Sequence, residues 1–293
     1  MLCSDCPRNC GAQRNTAPGS TAGGLCGMPE QAVIARAGVH MWEEPVISGT
    51  RGSGTIFFSG CNLHCTYCQN AEISLTGRGK QVTAARLGEI IGELESQGVH
   101  NINFVTPSHY TRIIAQVLQT APSVPVVYNS GGYDSACALK ALRGKINIYM
   151  PDMKYALSTP ARLYSRAGDY FKVACAAIDE MYAQTGDYVI NDDGIMRSGL
   201  LVRHLILPGN IDNTKRVIDW FAARFKPGQA LFSLMSQYTP MPGTAQPLNR
   251  KITAAEYRSA AEYLFNSGIE DGFIQELSSA GEEYIPDFDL SGV

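Results

Sequence analysis

The chain lacks a charge excess of either sign, long apolar runs and repeats. Its 24 basic and 27 acidic residues leave a net charge of −3. Coating a polyanion needs a positive face from which counterions are released, so no nucleic-acid partner is expected. No apolar stretch approaches the roughly 18 residues that cross a bilayer, so no membrane partner is expected either. The opening residues Met1–Cys6 show no basic and then apolar leader, which points to a cytoplasmic location. No repeat of about 20 to 50 residues and no low-complexity tract is present, which excludes solenoids and arrays. Charged residues make up 17% and hydrophobic ones 45%, the balance of a globular chain able to bury a full core. A length of 293 residues suits one large domain or two small ones.

Nine cysteines stand out against this background. An odd number in a chain expected to stay in a reducing compartment does not read as a disulfide scaffold. Seven of the nine fall in two tight groups, a spacing that metal binding explains better than packing does. The first group sits in an N-terminal segment, residues 1–45, that contains Gly11, Gly19, Gly23, Gly24, Gly27 and Gly38 and shows little apolar periodicity. Such a segment cannot fold around a core of its own, so a metal or the main domain must organise it.

The remainder, residues 46–293, alternates short apolar runs with amphipathic stretches. Thr55–Ser59, Asn101–Thr106, Val124–Asn129, Ile146–Met150, Leu201–Leu207 and Ala230–Ser236 read as strands covered on both faces, and Phe273–Leu277 is a candidate seventh. Between them, Leu87, Ile90, Ile91 and Leu94 follow helical spacing, as do Ile113, Ile114, Val117 and Leu118. Phe171, Ala174, Ile178 and Met181 make another such face. Val217, Ile218, Phe221 and Phe225 follow an expected cap at Asp212, and Thr253 with Glu256 forms a capping box before Tyr257, Ala260, Ala261 and Leu264. Alternating strands and helices imply parallel strands joined by right-handed crossovers. Six clear units are too few for a closed eight-fold barrel, so the expected fold is α/β, a partial, open (β/α)6 TIM-like barrel. Chemistry is then sought just beyond the carboxyl ends of the strands.

Directly after the first of these strands stand Cys61, Cys65 and Cys68, spaced C-x3-C-x2-C. Three thiolates on a short loop suit three corners of a cubane 4Fe-4S cluster with one iron left open. The alternative is a closed zinc site with His64 as fourth ligand. The whole segment Gly60–Asn70, with aromatic Tyr67 before the last cysteine, resembles the signature of the radical S-adenosylmethionine superfamily. The lead-in Gly49–Ser59 resembles its counterpart in the pyruvate formate-lyase activating enzymes. The run Tyr149–Lys154 resembles that group's Asp-x-Lys strand end, and Leu205–Gly209 its Val-Pro-Gly segment.

The resemblance implies a 4Fe-4S cluster on Cys61, Cys65 and Cys68, with S-adenosylmethionine chelated to the open iron and cleaved by one electron to a 5′-deoxyadenosyl radical. It places Tyr67 near the adenine, Asn129, Ser130 and Gly131 along the cofactor cleft, Asp152 at the ribose and Lys154 at the methionine carboxylate. Gln237 stands where the family often has histidine. The family's Gly-Gly-Glu after the second strand is absent; the chain reads Val105-Thr106-Pro107-Ser108-His109, and Thr106 is the expected substitute. By the same analogy the substrate is a glycine of a partner protein, a glycyl-radical enzyme, and the electron donor a flavodoxin or ferredoxin. Radical modification of a small molecule or peptide is the second enzymatic reading. A non-catalytic electron-transfer or zinc scaffold is the reading from another class.

Cys3, Cys6, Cys10 and Cys26, spaced C-x2-C-x3-C-x15-C, suit either a zinc tetrahedron or a second 4Fe-4S cluster, the neighbouring chemistry favouring iron–sulfur. The activases that carry extra clusters usually insert them after the radical motif, so this chain looks like a branch apart. Cys137 and Cys175 read as small buried hydrophobes on helices. His40, His100, His109 and His204 read as structural, and Gly49, Gly52 and Gly54 match no phosphate loop. Glu276, Glu282, Glu283, Asp287 and Asp289 read as a solvated acidic end, unless a seventh strand turns Gln275 and Glu276 toward the substrate opening.

Overall fold

Apolar runs of four to six residues become strands here because both of their faces are covered. The computed structural model describes residues 3–14, 24–277 and 286–293. The first half contains β1 (Ala32–His40), α1 (Pro45–Ser48), β2 (Ser53–Phe58), α2 (Ala71–Ser74), β3 (Lys80–Val82), α3 (Ala84–Ser96), β4 (Ile102–Val105), α4 (Thr111–Val117) and β5 (Val126–Ser130). After these come α5 (Ala136–Leu139), a 3-10 turn at Lys140–Leu142, β6 (Ile148–Pro151), α6 (Ser158–Ser165) and α7 (Tyr170–Thr185). The last part contains β7 (Val189–Ile190), β8 (Met196–Leu205), α8 (Ile211–Arg224), β9 (Leu231–Met235), α9 (Ala254–Phe265) and β10 (Gly272–Ile274).

Among the described residues the strands form one sheet in the order β10-β9-β8-β6-β5-β4-β2-β1-β3, with β7 beside β8. From β2 to β10 along that path every pairing is parallel. The edges β10 and β3 do not meet, so the barrel is open as expected, and the short β10 is the added seventh parallel strand. Because the strands run the same way, their carboxyl ends share one rim.

Ile56, Phe58, Ile102, Phe104, Tyr128, Ile148, Tyr149, Val202 and Phe232 fill the interior and the helix–sheet layers with almost no exposure. Leu87, Ile90, Ile91 and Leu94 form the buried face of α3, whose Thr83 cap accepts the Arg86 amide at 3.1 Å. The Thr253–Glu256 capping box forms as expected. At α8 the expected cap shifts: Asn210 holds the cap position and Asp212 lies in the first turn, where its charge still complements the helix dipole. Cys137 also departs from expectation, being exposed on the outer side of α5, while Cys175 is half-buried.

The sequence places residues 32–40 within the cysteine-rich segment, yet they form β1, antiparallel to both β2 and β3. Ala32, Ile34 and Ala35 are fully buried there, so the main sheet organises the end of that segment. Gly19 and Gly23 lie outside the described residues, as do Glu282 and Glu283. The rest of the acidic tail is not merely solvated. Leu290 and Ser291 exchange backbone hydrogen bonds with Ala35 and Ala37 at 3.1 and 2.9 Å. Arg36 donates to the Asp287 carbonyl at 2.7 Å and pairs with Asp289 at 3.2 Å. Phe288 packs edge-on against Phe57, centroids 5.5 Å apart, and against Ala35, Ile73 and Val105.

Phe288→Ala is therefore expected to destabilise the fold by about 3 kcal/mol, the usual cost of emptying a phenylalanine site. Urea unfolding measures it as a lowered midpoint at unchanged slope. A change within about 0.5 kcal/mol would show that the tail contributes nothing to the core.

Candidate active site

Beyond β2 the chain turns at Gly60, whose φ of +76° and lack of a side chain are both required. A Cβ there would lie 2.4 Å from Met28 and 2.9 Å from the Cys26 carbonyl. The loop that follows is stitched by the Gly60 amide to the Ile73 carbonyl (2.9 Å) and by the Cys68 and Ala71 amides to the Cys65 and Cys68 carbonyls (both 3.1 Å). Cys61, Cys65 and Cys68 consequently face one cavity of about 220 Å³ at the carboxyl rim.

Each of the three sulfurs receives at least one hydrogen bond. The Leu63 amide donates to Cys61 Sγ at 3.3 Å, Ser165 Oγ to Cys65 Sγ at 3.0 Å and Ser74 Oγ to Cys68 Sγ at 3.4 Å. Burial, with Cys65 and Cys68 close by, pushes the Cys61 thiol up to about 12. Burial and Cys65 likewise raise the Cys68 thiol. Sulfurs this crowded ionise only when a cation compensates them. His64 does not line the cavity; its ring lies toward Arg166 and Arg8, and burial together with those cations lowers its pKa. Among the described residues no three His, Cys, Asp or Glu side chains converge on a single ion.

Across the cavity runs a chain of alternating charges. Lys154 Nζ meets Asp152 Oδ2 at 2.6 Å, Arg203 meets Asp152 Oδ1 at 3.0 Å, and Arg203 Nη1 meets Glu43 Oε2 at 3.3 Å. Burial opposes the charge on Asp152, but Lys154 and Arg203 outweigh it and hold the carboxyl below its ordinary range. Burial likewise opposes the Lys154 charge, and Asp152 with the Cys65 and Cys68 sulfurs raises its pKa in spite of it. Asn129 extends the chain, accepting from Arg203 Nη2 at 2.7 Å and donating to Glu43 Oε1 at 3.1 Å, where Asn103 also donates at 3.0 Å. Glu44 points elsewhere, accepting from Ser233 Oγ at 2.9 Å, and its burial raises its pKa.

The other residues singled out by sequence lie on the same cavity. Tyr67 is buried, its hydroxyl 2.8 Å from that of Tyr155 and its ring near Tyr164 and Tyr238. Ser130 lines the wall, but its hydroxyl turns inward to Asp134 at 2.6 Å. Gly131 lies beside Leu63 and Lys154, and Gly132 passes so close to the Asp152 carbonyl that a Cβ would sit 2.1 Å from it. Thr106 is held with φ +60°, a conformation that a β-branched residue rarely adopts, its amide donating to the Asn129 carbonyl at 2.9 Å. Gln237 and Gln275 line the cavity together with Trp42 and Pro286. The sequence reading missed Arg203, Glu43, Asn103 and the sulfur donors Ser74 and Ser165. A polar side chain inside an otherwise apolar strand was the available signal for Arg203 and Asn103; none marked Ser165.

The N-terminal thiols also gather. Burial, then Cys26, Cys3 and Cys10, push Cys6 up to about 11, and burial with Cys3 and Cys10 raises Cys26. Their segment closes on itself through the Cys3 amide to the Ala12 carbonyl (2.9 Å) and the Gly11 amide to the Cys3 carbonyl (3.2 Å). It is anchored by the buried pair Arg14–Asp5 at 2.9 Å, by Arg112 on Asp5 at 2.6 Å and by Arg14 on the His109 carbonyl at 2.6 Å.

His204 and His109 are held by buried hydrogen bonds. His204 bonds the Met153 carbonyl (2.6 Å) and Thr214 Oγ1 (3.0 Å), and burial lowers its pKa to about 4. His109 bonds the Ser59 carbonyl at 2.8 Å, and burial lowers it to about 3. His100 packs beside Arg51, its Nδ1 3.0 Å from Arg51 Nη2. His40 lines the cavity mouth against Phe57.

Comparison with known proteins follows the same lines. Residues 55–180 match the radical SAM superfamily. Over 274 residues the chain is 26% identical to the uncharacterized protein MJ0674 of Methanocaldococcus jannaschii, covering 89% of this chain and 73% of that one. Over 100 residues it is 30% identical to 7-carboxy-7-deazaguanine synthase of Methanothermobacter thermautotrophicus, or 31% of this chain and 40% of the relative. The crystal structure of HydG, a maturase of the FeFe hydrogenase, shares the fold with a TM-score of 0.52 at 13% identity, covering 78% of this chain and 53% of that one. Among the described residues no helix is long and apolar enough to cross a membrane.

His109 and His204 stay neutral in the fold while their unfolded forms titrate near 6.5, so the unfolded chain binds more protons between those values. Stability is expected to fall as pH drops from about 6.5 toward 4, on the order of 3 kcal/mol for His204 alone. Urea midpoints across that range test this. His204→Gln should flatten the dependence, and an equal slope in the variant would refute the assignment.

Proposed function

We propose, from the match of residues 55–180 to the radical SAM superfamily, that this chain is an oxidoreductase binding S-adenosylmethionine at a 4Fe-4S cluster held by Cys61, Cys65 and Cys68. The observation that carries the reading is that the three thiols, Asp152 and Lys154 face one cavity at the carboxyl rim. A donor on every sulfur and a nearby lysine suit an anionic cluster. When bound, cluster and sulfonium would supply the chemistry, one-electron cleavage of the S–C5′ bond and transfer of a hydrogen atom from the substrate.

The chain's own residues bind, orient and exclude water. Lys154 offers a compact cation to the methionine carboxylate. Asp152, fixed by Lys154 and Arg203, retains lone pairs for the ribose hydroxyls. Tyr67 supplies an aromatic face for the adenine, and Asn129 and Gly131 form the wall, with Ser130 contributing backbone because its hydroxyl is engaged by Asp134. The strained Thr106, which lines the cavity, offers its hydroxyl or carbonyl to the amino group that an acidic residue receives in the resembled family. Gln237 completes the outer edge.

The substrate reading is hydrogen abstraction from a glycine of a partner glycyl-radical enzyme, supported by the likeness of Gly49–Ser59 and Tyr149–Lys154 to the activases, with a cytoplasmic flavodoxin or ferredoxin as electron donor. Glu43 and Arg203, which reach into the same cavity, favour a small polar substrate as the second reading. Cys3, Cys6, Cys10 and Cys26 hold a second 4Fe-4S cluster on this reading, zinc being the alternative.

Anaerobically reconstituted protein reduced with dithionite is expected to release 5′-deoxyadenosine, and Cys65→Ala none. No release from the wild type would return the chain to a non-catalytic scaffold. Metal analysis should find about eight irons per chain; about four with one zinc would assign zinc to the N-terminal thiols. Deuterium carried into 5′-deoxyadenosine from a labelled glycine peptide or a labelled small molecule decides between the two substrate readings.

A further inference from the structure

Cys65 is the most buried thiol of its loop, and the hydroxyl on its sulfur comes from Ser165, the fully buried last residue of α6. Ser165 Oγ also lies 2.7 Å from Tyr155 OH, which lies 2.8 Å from Tyr67 OH. A thiolate only accepts, so the Ser165 hydrogen points at sulfur and its oxygen is left to accept.

The end of α6 is held from outside its own helix. Arg166 follows in the left-handed conformation, φ +50°, which leaves terminal carbonyls turned outward. Arg8, from the Cys6–Cys10 loop, takes two of them: Nη2 donates to the Ser165 carbonyl at 2.9 Å and Nη1 to the Arg166 carbonyl at 2.6 Å. Its Nε donates to the Asn62 carbonyl at 2.8 Å, next to Cys61, and the guanidinium lies over the Tyr133 ring at 5.1 Å. One fork thus joins the N-terminal arm, the end of α6 and the loop of the first three thiols. The Thr66 amide on the Tyr164 carbonyl at 2.9 Å adds a second tie between loop and helix.

We propose that the N-terminal arm sets the reduction potential of the Cys61–Cys65–Cys68 cluster through Arg8, which fixes the end of α6 so that the Ser165 hydroxyl stays on Cys65 Sγ. The inference rests on the cluster reading above. Adding one electron, from a flavodoxin-type donor or from dithionite, places charge on the sulfurs. A hydrogen bond to sulfur stabilises that reduced form and raises the potential. Arg8 is a positioning residue, and it ties the state of the four-thiol arm to the ease of reducing the barrel site.

The test is a redox titration of full-length, anaerobically reconstituted protein, followed by the paramagnetic signal of the reduced cluster. Ser165→Ala and Arg8→Ala are both expected to shift the midpoint to more negative potential. Arg8→Lys, which keeps the charge without the fork, should fall between wild type and Arg8→Ala. Because Arg8 acts through Ser165, its removal should add little in a Ser165→Ala background. Tyr155→Phe leaves the arm in place and should give a smaller shift of the same sign, so the proposal stays testable if Arg8→Ala fails to fold. Unchanged midpoints in the iron-replete variants, or an undiminished Arg8 effect without Ser165, would overturn it. Absence of the paramagnetic signal from the wild type would instead remove the cluster reading beneath it.

Discussion

Crowded, largely buried sulfur governs the rest of the rim. Thiols raise one another's pKa when buried together, and the fold answers with a hydrogen-bond donor on each sulfur and one lysine nearby. Lys154 cannot be buried alone, so it needs Asp152, and Asp152 in turn accepts Arg203, which meets Glu43. Two cations and two anions leave the chain neutral as a set. An unpaired charge at such depth is costly, so the series ends where Asn103 and Asn129 supply neutral donors to Glu43.

Parallel pairing is what makes this series geometrically possible. Neighbouring strands lie about 4.8 Å apart, so residues in register at their ends fall within side-chain reach. Asn129 on β5 pairs with Val105 on β4 and with Met150 on β6, and Asp152 just past β6 bridges Arg203 on β8. The charges therefore step across the sheet one strand at a time. Glu43 reaches them from the turn before α1, which is how a residue outside the parallel strands closes the series.

Elements covered on both faces were legible as apolar runs, and every predicted strand lies within a few residues of the observed one. The cysteine spacing and the Asp152–Lys154 pair were legible because each is local: the residues that act together sit within a single loop or strand end. Arg203, Glu43 and Ser165 were not, for the opposite reason. Ser165 lies one hundred residues from Cys65, and nothing in the composition of α6 marks its last hydroxyl as facing sulfur. β1 escaped notice because Arg36 and Gly38 interrupt its apolar pattern; Arg36 is drawn outward by the tail carbonyl and Asp289, which no local rule foretells. The Asp212 cap failed by two residues, since a first-turn aspartate and a capping one look alike without backbone angles.

The N-terminal arm and the C-terminal residues both dock on the barrel, by different chemistry. The N-terminal arm has too few apolar residues for a core, so its placement rests on arginines: Arg14 on Asp5 and the His109 carbonyl, Arg8 on the carbonyls of Asn62, Ser165 and Arg166. The C-terminal residues dock by strand-like bonds to β1 and by Phe288 against Phe57 and Val105. A guanidinium fork suits the first task because helix ends and loops present carbonyls, while a ring suits the second because β2 and β4 present apolar faces. Both attachments bear on strands or loops that carry cavity residues. The tail adds backbone bonds along β1, and the arm's arginines hold the loop and the helix end beside the three sulfurs.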